Sequence, residues 1–344
     1  MNTPGNLEFG YVSVPLPTID FASRVAVWLE SHGFAYCLFG DTQNLAGDPY
    51  VASTLAAKST STIRVGTGVT NAVTRNAAVT ASAIATVQVE SNGRAILGLG
   101  RGDSSAASVG RKPSTTQEFE DYAKSIQTYH AGGTPLPGGL PMKWSSGLPH
   151  IPIDIACTGP KTIAMAARVA DRVSLSVGAA PERVEWALGH AREAALESGR
   201  DLAQIEFGAY INLGVHRDTQ EARDLVRTGV GLVAHFAGMN PAGISKLPVE
   251  LREVAERLSS QYQMDQHGKS GGAQGKAFDD AFIDWFAIAG PPDHCISRLL
   301  DLQRLGISYV YLVSGTSDST PLPLASSEDL MSDEVVSVLS SHLR

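Results

Sequence analysis

Four short clusters of small, polar and charged residues mark where this chain could do chemistry. The first, Gly98-Leu99-Gly100-Arg101-Gly102-Asp103-Ser104-Ser105, sets a cation, a carboxyl and a hydroxyl among glycines. Glycines let backbone amides approach an anion or a flat ring closely. The cluster lacks the GxGxxG spacing of a dinucleotide fingerprint. The second, Cys157-Thr158-Gly159-Pro160-Lys161-Thr162, leads into an Ala-rich helix whose first amides are placed to hold phosphate. The third is Gly66-Thr67-Gly68-Val69-Thr70-Asn71, followed by Thr74-Arg75-Asn76. Two glycines near a strand end mean either a bulge or a surface on which a ligand packs. In the fourth, Gly40-Asp41-Thr42-Gln43-Asn44, polar residues crowd the end of an apolar run. Each cluster alone also reads as an ordinary turn or helix start. No phosphate-loop motif and no HExxH occurs, the one GxSxG match, Gly268-Lys269-Ser270-Gly271-Gly272, falls in a stretch without strand or helix periodicity, and the nine histidines show no pair at helical ligand spacing. A metal site or a serine hydrolase is therefore not indicated.

The elements that must position these clusters alternate strand and helix. Strands are predicted at Phe9–Val14, Phe34–Phe39, Ile63–Val69, Arg94–Gly100, Ile151–Cys157, Arg172–Val177, Ile205–Val215 and Ile307–Ser314. Most are short and nearly wholly apolar, the pattern of parallel strands buried on both faces. Helices are predicted from Pro17 to about His32 with Gly33 beyond its end, then at Pro49–Ser61, Asn76–Ser91 and Ser114–Ala131, the last with Ser114 as cap and Gln117 as its partner. Further helices are expected at Pro160–Ala170, Pro181–Ser198, Thr219–Phe236, Asp279–Ala289, Pro292–Leu305 and Ser326–Leu343. Eight βα units favour an α/β fold of the closed (β/α)8 TIM-barrel type over a doubly wound sheet. All four clusters then fall at strand C-termini, the rim where barrel active sites lie. Arg101–Pro113 reads as a polar loop. Insertions are expected at 132–149 and 238–276, with a lid over Gln263–Lys276.

The chain has 344 residues, 43% apolar and 18% charged, with a net charge of −8. At roughly 150 residues per domain that length suggests two domains. One barrel of about 250 residues with rim insertions accounts for it equally, and a single domain over 1–344 is preferred. The acidic balance argues against a nucleic-acid or anionic-membrane partner. It also singles out Arg75, Arg101 and Lys161 as rim cations for an anionic ligand. Cys37, Cys157 and Cys295 form no motif, no leader is evident and no run is long enough to span a membrane, so a cytoplasmic protein is expected.

In their order, the segments GTGVTNAVTRNAA, GRAILGLGRGDSS, VGRKP and IPIDIACTGPKTIAMAARVADRVSL resemble the bacterial-luciferase-like superfamily. Within it they are most similar to the deazaflavin branch that uses coenzyme F420, typified by methylenetetrahydromethanopterin reductase. The segment FDDAFIDWFAIAGPPDHCISRLLDLQRLGISYVYLVSG, residues 278–315, carries the same resemblance. The resemblance implies a tricyclic ring in the barrel mouth, backed by a non-prolyl cis peptide at Gly68–Val69 beside Thr70 and Asn71. It puts Asp41 at the ring's pyrimidine edge, next to Thr42, where alcohol-oxidising members carry a histidine. It assigns Gly100, Arg101, Gly102, Asp103 and Ser104, with Thr158, Gly159, Lys161 and Thr162, to the cofactor's side chain and phosphate, and Asp103 to proton donation or relay. The implied activity is hydride transfer between F420 and a small organic substrate, by reduction of a C=C, C=N or nitroaromatic-type acceptor. Alternatives are an FMN-dependent monooxygenase and a non-catalytic flavin-binding homologue. A homodimer through the Pro49–Ser61 and Asn76–Ser91 helices is expected, as is an F420- or flavin-reducing enzyme as functional partner.

Overall fold

The computed structural model describes residues 7–15, 18–238, 252–254, 256–257, 278–313 and 330–340. Eight parallel strands close into a barrel, each of the eight predicted strands supplying one. They are β1 (Glu8–Ser13), β2 (Tyr36–Phe39), β3 (Arg64–Asn71), β4 (Ala95–Gly100), β5 (Ile153–Cys157), β6 (Arg172–Leu175), β7 (Glu206–Ile211) and β10 (Tyr309–Val313), in the circular order β1-β10-β7-β6-β5-β4-β3-β2. Strand alternation divides their side chains. Cys37, Phe39, Ala209 and Ile211 pack outward into the main core under the helices. Tyr36, Leu38, Tyr210, Tyr309 and Tyr311 fill the lumen with Val12 and Ile96. Gly208 faces inward too, because a Cβ there would sit 2.0 Å from the Tyr309 ring.

The helices around the barrel are α1 (Phe21–Ser31), α2 (Pro49–Ser59), α3 (Ala77–Glu90), α4 (Asp103–Ser108), α5 (Thr116–His130), α6 (Pro160–Val169), α7 (Pro181–Glu197), α8 (Thr219–Gly238), α9 (Asp280–Phe286) and α10 (Pro292–Leu305). A π-helical stretch, Met331–Val336, runs into a last turn at Ser337–Ser340. Helix α1 starts later than predicted because Asp20, with φ 59°, breaks the run before Phe21. The α5 cap is Thr115, not Ser114. Thr115 and Glu118 form a reciprocal capping box, while the Ser114 hydroxyl donates to the Arg101 carbonyl at 3.0 Å.

Three other predictions change. The stretch read as one strand, Ile205–Val215, leaves the barrel at Asn212, and Leu213–Val215 becomes β8. The predicted helix Asp279–Ala289 ends at Phe286, and Ile288–Gly290 becomes β9, which pairs with β8 in a separate two-stranded parallel sheet. The loop after β4 contains α4, which at six residues is too short for periodicity to reveal. In 132–149 the one regular piece is a 3-10 turn at Lys143–Ser145. The predicted lid Gln263–Lys276 lies outside the described residues, as does nearly all of 239–276.

Below the mouth the lumen holds a polar network. Asp154 accepts from Ser174 Oγ at 2.6 Å and from the Tyr311 hydroxyl at 2.7 Å. Ser174 Oγ also lies 2.9 Å from the Tyr309 hydroxyl. The Arg172 guanidinium lies 3.7 Å from the Tyr309 ring centroid, and its Nε 3.7 Å from Asp154 Oδ2. Burial pushes the Asp154 carboxyl up, against the pull of Arg172, Ser174 and Tyr311.

Candidate active site at the barrel mouth

The four clusters end β2, β3, β4 and β5, which are consecutive neighbours in the barrel. They therefore line one continuous half of its C-terminal rim. Two glycines make the β3–β4 wall close-set. A Cβ on Gly98 would sit 2.1 Å from the Thr67 carbonyl oxygen, and one on Gly102, whose φ is 88°, 2.8 Å from Asn71 Oδ1. The Gly68–Val69 peptide is cis, and the β3–β4 register shifts between Thr67 and Thr70. Gly68 and Val69 are half-buried, with the apolar side of Val69 packed on the lumen cluster.

Asp41, at the end of β2, is nearly fully buried and saturated with donors. It accepts from Gln43 Nε2 at 2.6 Å, Thr70 Oγ1 at 2.5 Å, Arg75 Nε at 2.6 Å and Arg75 Nη2 at 3.0 Å. The same Arg75 Nη2 donates to Asp48 Oδ2 at 2.7 Å, and the guanidinium lies 4.9 Å from the Tyr50 ring centroid. Burial alone would raise the Asp48 carboxyl, but the hydrogen bonds from Arg75 and from the Val51 and Tyr50 amides hold it below its ordinary value. Arg75, expected at an anionic ligand, is thus committed to two carboxylates. Thr42 stands half-buried beside them.

The β3–β4 loops are cross-tied. Asn71 Nδ2 donates to Ser105 Oγ at 2.9 Å, and its Oδ1 accepts from the amides of Val73 and Thr74 at 3.0 Å each. Arg101 Nε donates to the Ser114 carbonyl at 2.9 Å. Asp103 opens α4 directly after Gly102. Its Oδ1 is buried and has no hydrogen-bond partner, and burial pushes its carboxyl up while Arg101 pulls it down. Ser104 is half-buried next to it.

At the β5 end, Gly159 caps α6 with no side-chain hydrogen bond and Pro160 stands at its first position. The first amides of that helix lack intrahelical partners and carry the positive end of its dipole. Thr158 and Gly159 are half-buried, Thr162 is buried and Lys161 is exposed. Among the described residues no cluster of His, Cys, Asp or Glu is arranged to hold a metal. Nor is any helix among them long and apolar enough to cross a membrane.

The opposite half of the rim, from β6, β7, β10 and β1, shows no motif in the sequence. It carries Asn212, buried with neither side-chain amide atom partnered. The signal was one polar residue inside an otherwise apolar strand.

A closed parallel barrel with a bulged, glycine-walled third and fourth strand defines the class. The family described as luciferase-like monooxygenase matches residues 6–309, and the chain belongs to it. It is an oxidoreductase of that family. It is 29% identical over 315 residues to 5,10-methylenetetrahydromethanopterin reductase of Methanolobus tindarius, covering 88% of this chain and 93% of that protein. Two solved structures share the fold. The coenzyme F420-dependent tetrahydromethanopterin reductase from Methanopyrus kandleri superposes with a TM-score of 0.76 at 23% identity, covering 97% of this chain and 100% of that one. An F420-dependent secondary alcohol dehydrogenase superposes with a TM-score of 0.72 at 18% identity, covering 97% and 99%.

Proposed function

We propose that the protein is a coenzyme F420-dependent oxidoreductase that reduces a C=C, C=N or nitroaromatic-type bond in a small organic acceptor. The observation that carries the reading is Asp103, half-buried on the glycine-walled rim with a buried, unpartnered Oδ1. The reductases to which the chain is similar support it, as does Thr42 in place of the histidine of alcohol-oxidising members. The residues fit the cofactor. Gly68, Val69, Thr70 and Asn71 form one wall for a flat ring, with Asp41 and Thr42 at its edge. Gly100 to Ser104 border its tail, and Thr158, Gly159, Lys161 and Thr162 offer α6's free amides to a phosphate. When bound, the deazaflavin supplies a hydride donor or acceptor and no oxygen chemistry.

The chain's own part is positioning and proton supply. Asp41, held by Arg75 and Thr70, fixes β2 against β3 so that the wall keeps its shape. Asp103, whose carboxyl burial pushes up against the pull of Arg101, is the group placed to pass a proton to the acceptor. Gly68 and Val69, the half-buried part of the wall, would exclude water from one ring face. A second reading, reduced-FMN monooxygenation, is favoured by the name of the family itself. The deciding measurement is anaerobic. F420 should bind, and reduced F420 should be oxidised by acceptors under nitrogen. Binding of reduced FMN alone, with turnover only in oxygen, would overturn the F420 reading.

The reading includes a homodimer, a cytoplasmic setting consistent with three free buried cysteines, and a separate enzyme that reduces the cofactor. Val51 and Leu55 on α2 and Val79 on α3 are exposed apolar residues suited to a dimer face. Sedimentation should report a dimer that Val51→Glu with Val79→Glu splits.

A further inference from the structure

Asn212 sits where the barrel's seventh strand gives way to β8. Its carbonyl accepts from the Ile288 amide at 3.0 Å. Its side chain is different: 3% exposed, with both Nδ2 and Oδ1 unpartnered. A carboxamide offers two donors and an acceptor, and burying all of them unsatisfied is costly enough that such groups usually have a partner.

β7 ends at Ile211 and β8 begins at Leu213, and both flanking residues pack on the main core, so the Asn212 side chain between them turns to the other side. Ala209 and Ile211 pack outward in the main core, while Gly208 and Tyr210 face the lumen. Asn212 therefore continues the lumen-facing row, one pleat above Tyr210 at the mouth. The next residue of that row, Gly214, lies against Ala222 and Val226 of α8. In the circular strand order β7 stands four places from β3, directly across the barrel. Asn212 thus stands at the end of the strand opposite the one that carries Gly68 and Val69.

We propose that Asn212 is a specificity-determining residue that pairs, as donor and acceptor at once, with a –CO–NH– edge on the bound molecules. A lone carbonyl or a lone hydroxyl would satisfy half of it. A cyclic amide satisfies both atoms through two parallel hydrogen bonds. This deepens the proposed function and rests on it in one respect, that a ring lies against the β3 wall so that either its own edge or an acceptor over it meets the β7 side. The amide edge has two sources, the organic acceptor and the ring cofactor's own pyrimidinedione.

The test compares wild type with Asn212→Leu, similar in volume, and with Asn212→Thr in case leucine overpacks. Cofactor affinity is titrated first. Then 2-quinolone, a bicyclic lactam, and coumarin, its lactone counterpart without the N–H, are titrated into cofactor-loaded protein by calorimetry. Wild type should prefer the lactam by about tenfold, and both variants should lose that preference. Ligand-free Asn212→Leu should melt no lower than wild type, since it removes an unsatisfied amide. Unchanged cofactor affinity assigns the amide edge to the acceptor, and cofactor affinity weakened by about tenfold assigns it to the ring. Equal binding of both probes and of cofactor by wild type and variants, or no binding of either probe by wild type with unchanged cofactor affinity in the variants, overturns the proposal. If wild type takes FMN instead of F420, the wild-type titration alone reveals it, and the same comparison runs on FMN-loaded protein.

Discussion

Arg75 and Asp41 meet in a two-point ion pair at the rim, Nε to Oδ2 at 2.6 Å and Nη2 to Oδ1 at 3.0 Å. The carboxylate is almost wholly removed from water, and Thr70 and Gln43 complete its hydrogen bonding. Removing the cation would leave a buried charge with two neutral donors. Arg75→Ala should therefore destabilise the protein by about 3 kcal/mol, read from urea unfolding. Arg75→Lys should recover part of it, since an ammonium keeps the charge without the planar fork. Equal stability of wild type and Arg75→Ala would show that the pair does not hold the β2–β3 rim.

Asp103 predicts an opposite sign. Burial raises its folded pKa above the value of about 3.9 expected in the unfolded chain. The folded state thus binds the proton more tightly, and the contribution to stability is full below the unfolded pKa and lost as pH rises through the folded one. Asp103→Asn should flatten that decline, so the ligand-free variant should melt higher than wild type at pH 7. Its turnover should fall by about 10²-fold if the carboxyl passes the proton. Melting curves across pH and steady-state rates check the two halves separately. Unchanged turnover with raised stability would remove Asp103 from proton transfer.

What was legible in the sequence follows the range of the interactions. The eight barrel strands show as short apolar runs, and the four clusters show because each ends a strand locally. Less legible was what those residues do with one another. Asp41 and Arg75 are 34 positions apart, and Asp154 and Tyr311 157 apart, so their pairing depends on barrel closure. Asn212 hid inside an apparently continuous strand because β8 pairs with β9, of which Ile288 and Ala289 read as the end of a helix. The choice of Ser114 over Thr115 failed for a similar reason. Both are good caps, and only the Arg101 carbonyl, 13 residues back, takes Ser114 out of contention.

That competition is measurable. Thr115→Ala should cost about 1 kcal/mol, because it removes the side chain that accepts from the Glu118 amide at 3.2 Å while leaving the backbone half of the box in place. Ser114→Ala should leave α5 intact and instead loosen Arg101. Its effect should appear in cofactor affinity more than in unfolding. A larger stability loss for Ser114→Ala than for Thr115→Ala would reverse the assignment.

The lumen network ties the site to the barrel's interior. Tyr311 and Ser174 both donate to Asp154 from different strands, and Tyr309 lies within hydrogen-bond reach of the same Ser174 hydroxyl. Tyr311→Phe keeps the ring and its edge contact with Tyr210, whose centroid is 5.3 Å away, so it removes one donor and little packing. It should cost about 1–3 kcal/mol. Ser174→Ala should cost a similar amount. The double variant should depart from additivity, because the two donors share one buried carboxylate. A double-variant cycle by chemical denaturation measures that coupling. Strict additivity would mean that Asp154 is held by Arg172 alone, and the Tyr311 and Ser174 contacts would then contribute as independent neighbours.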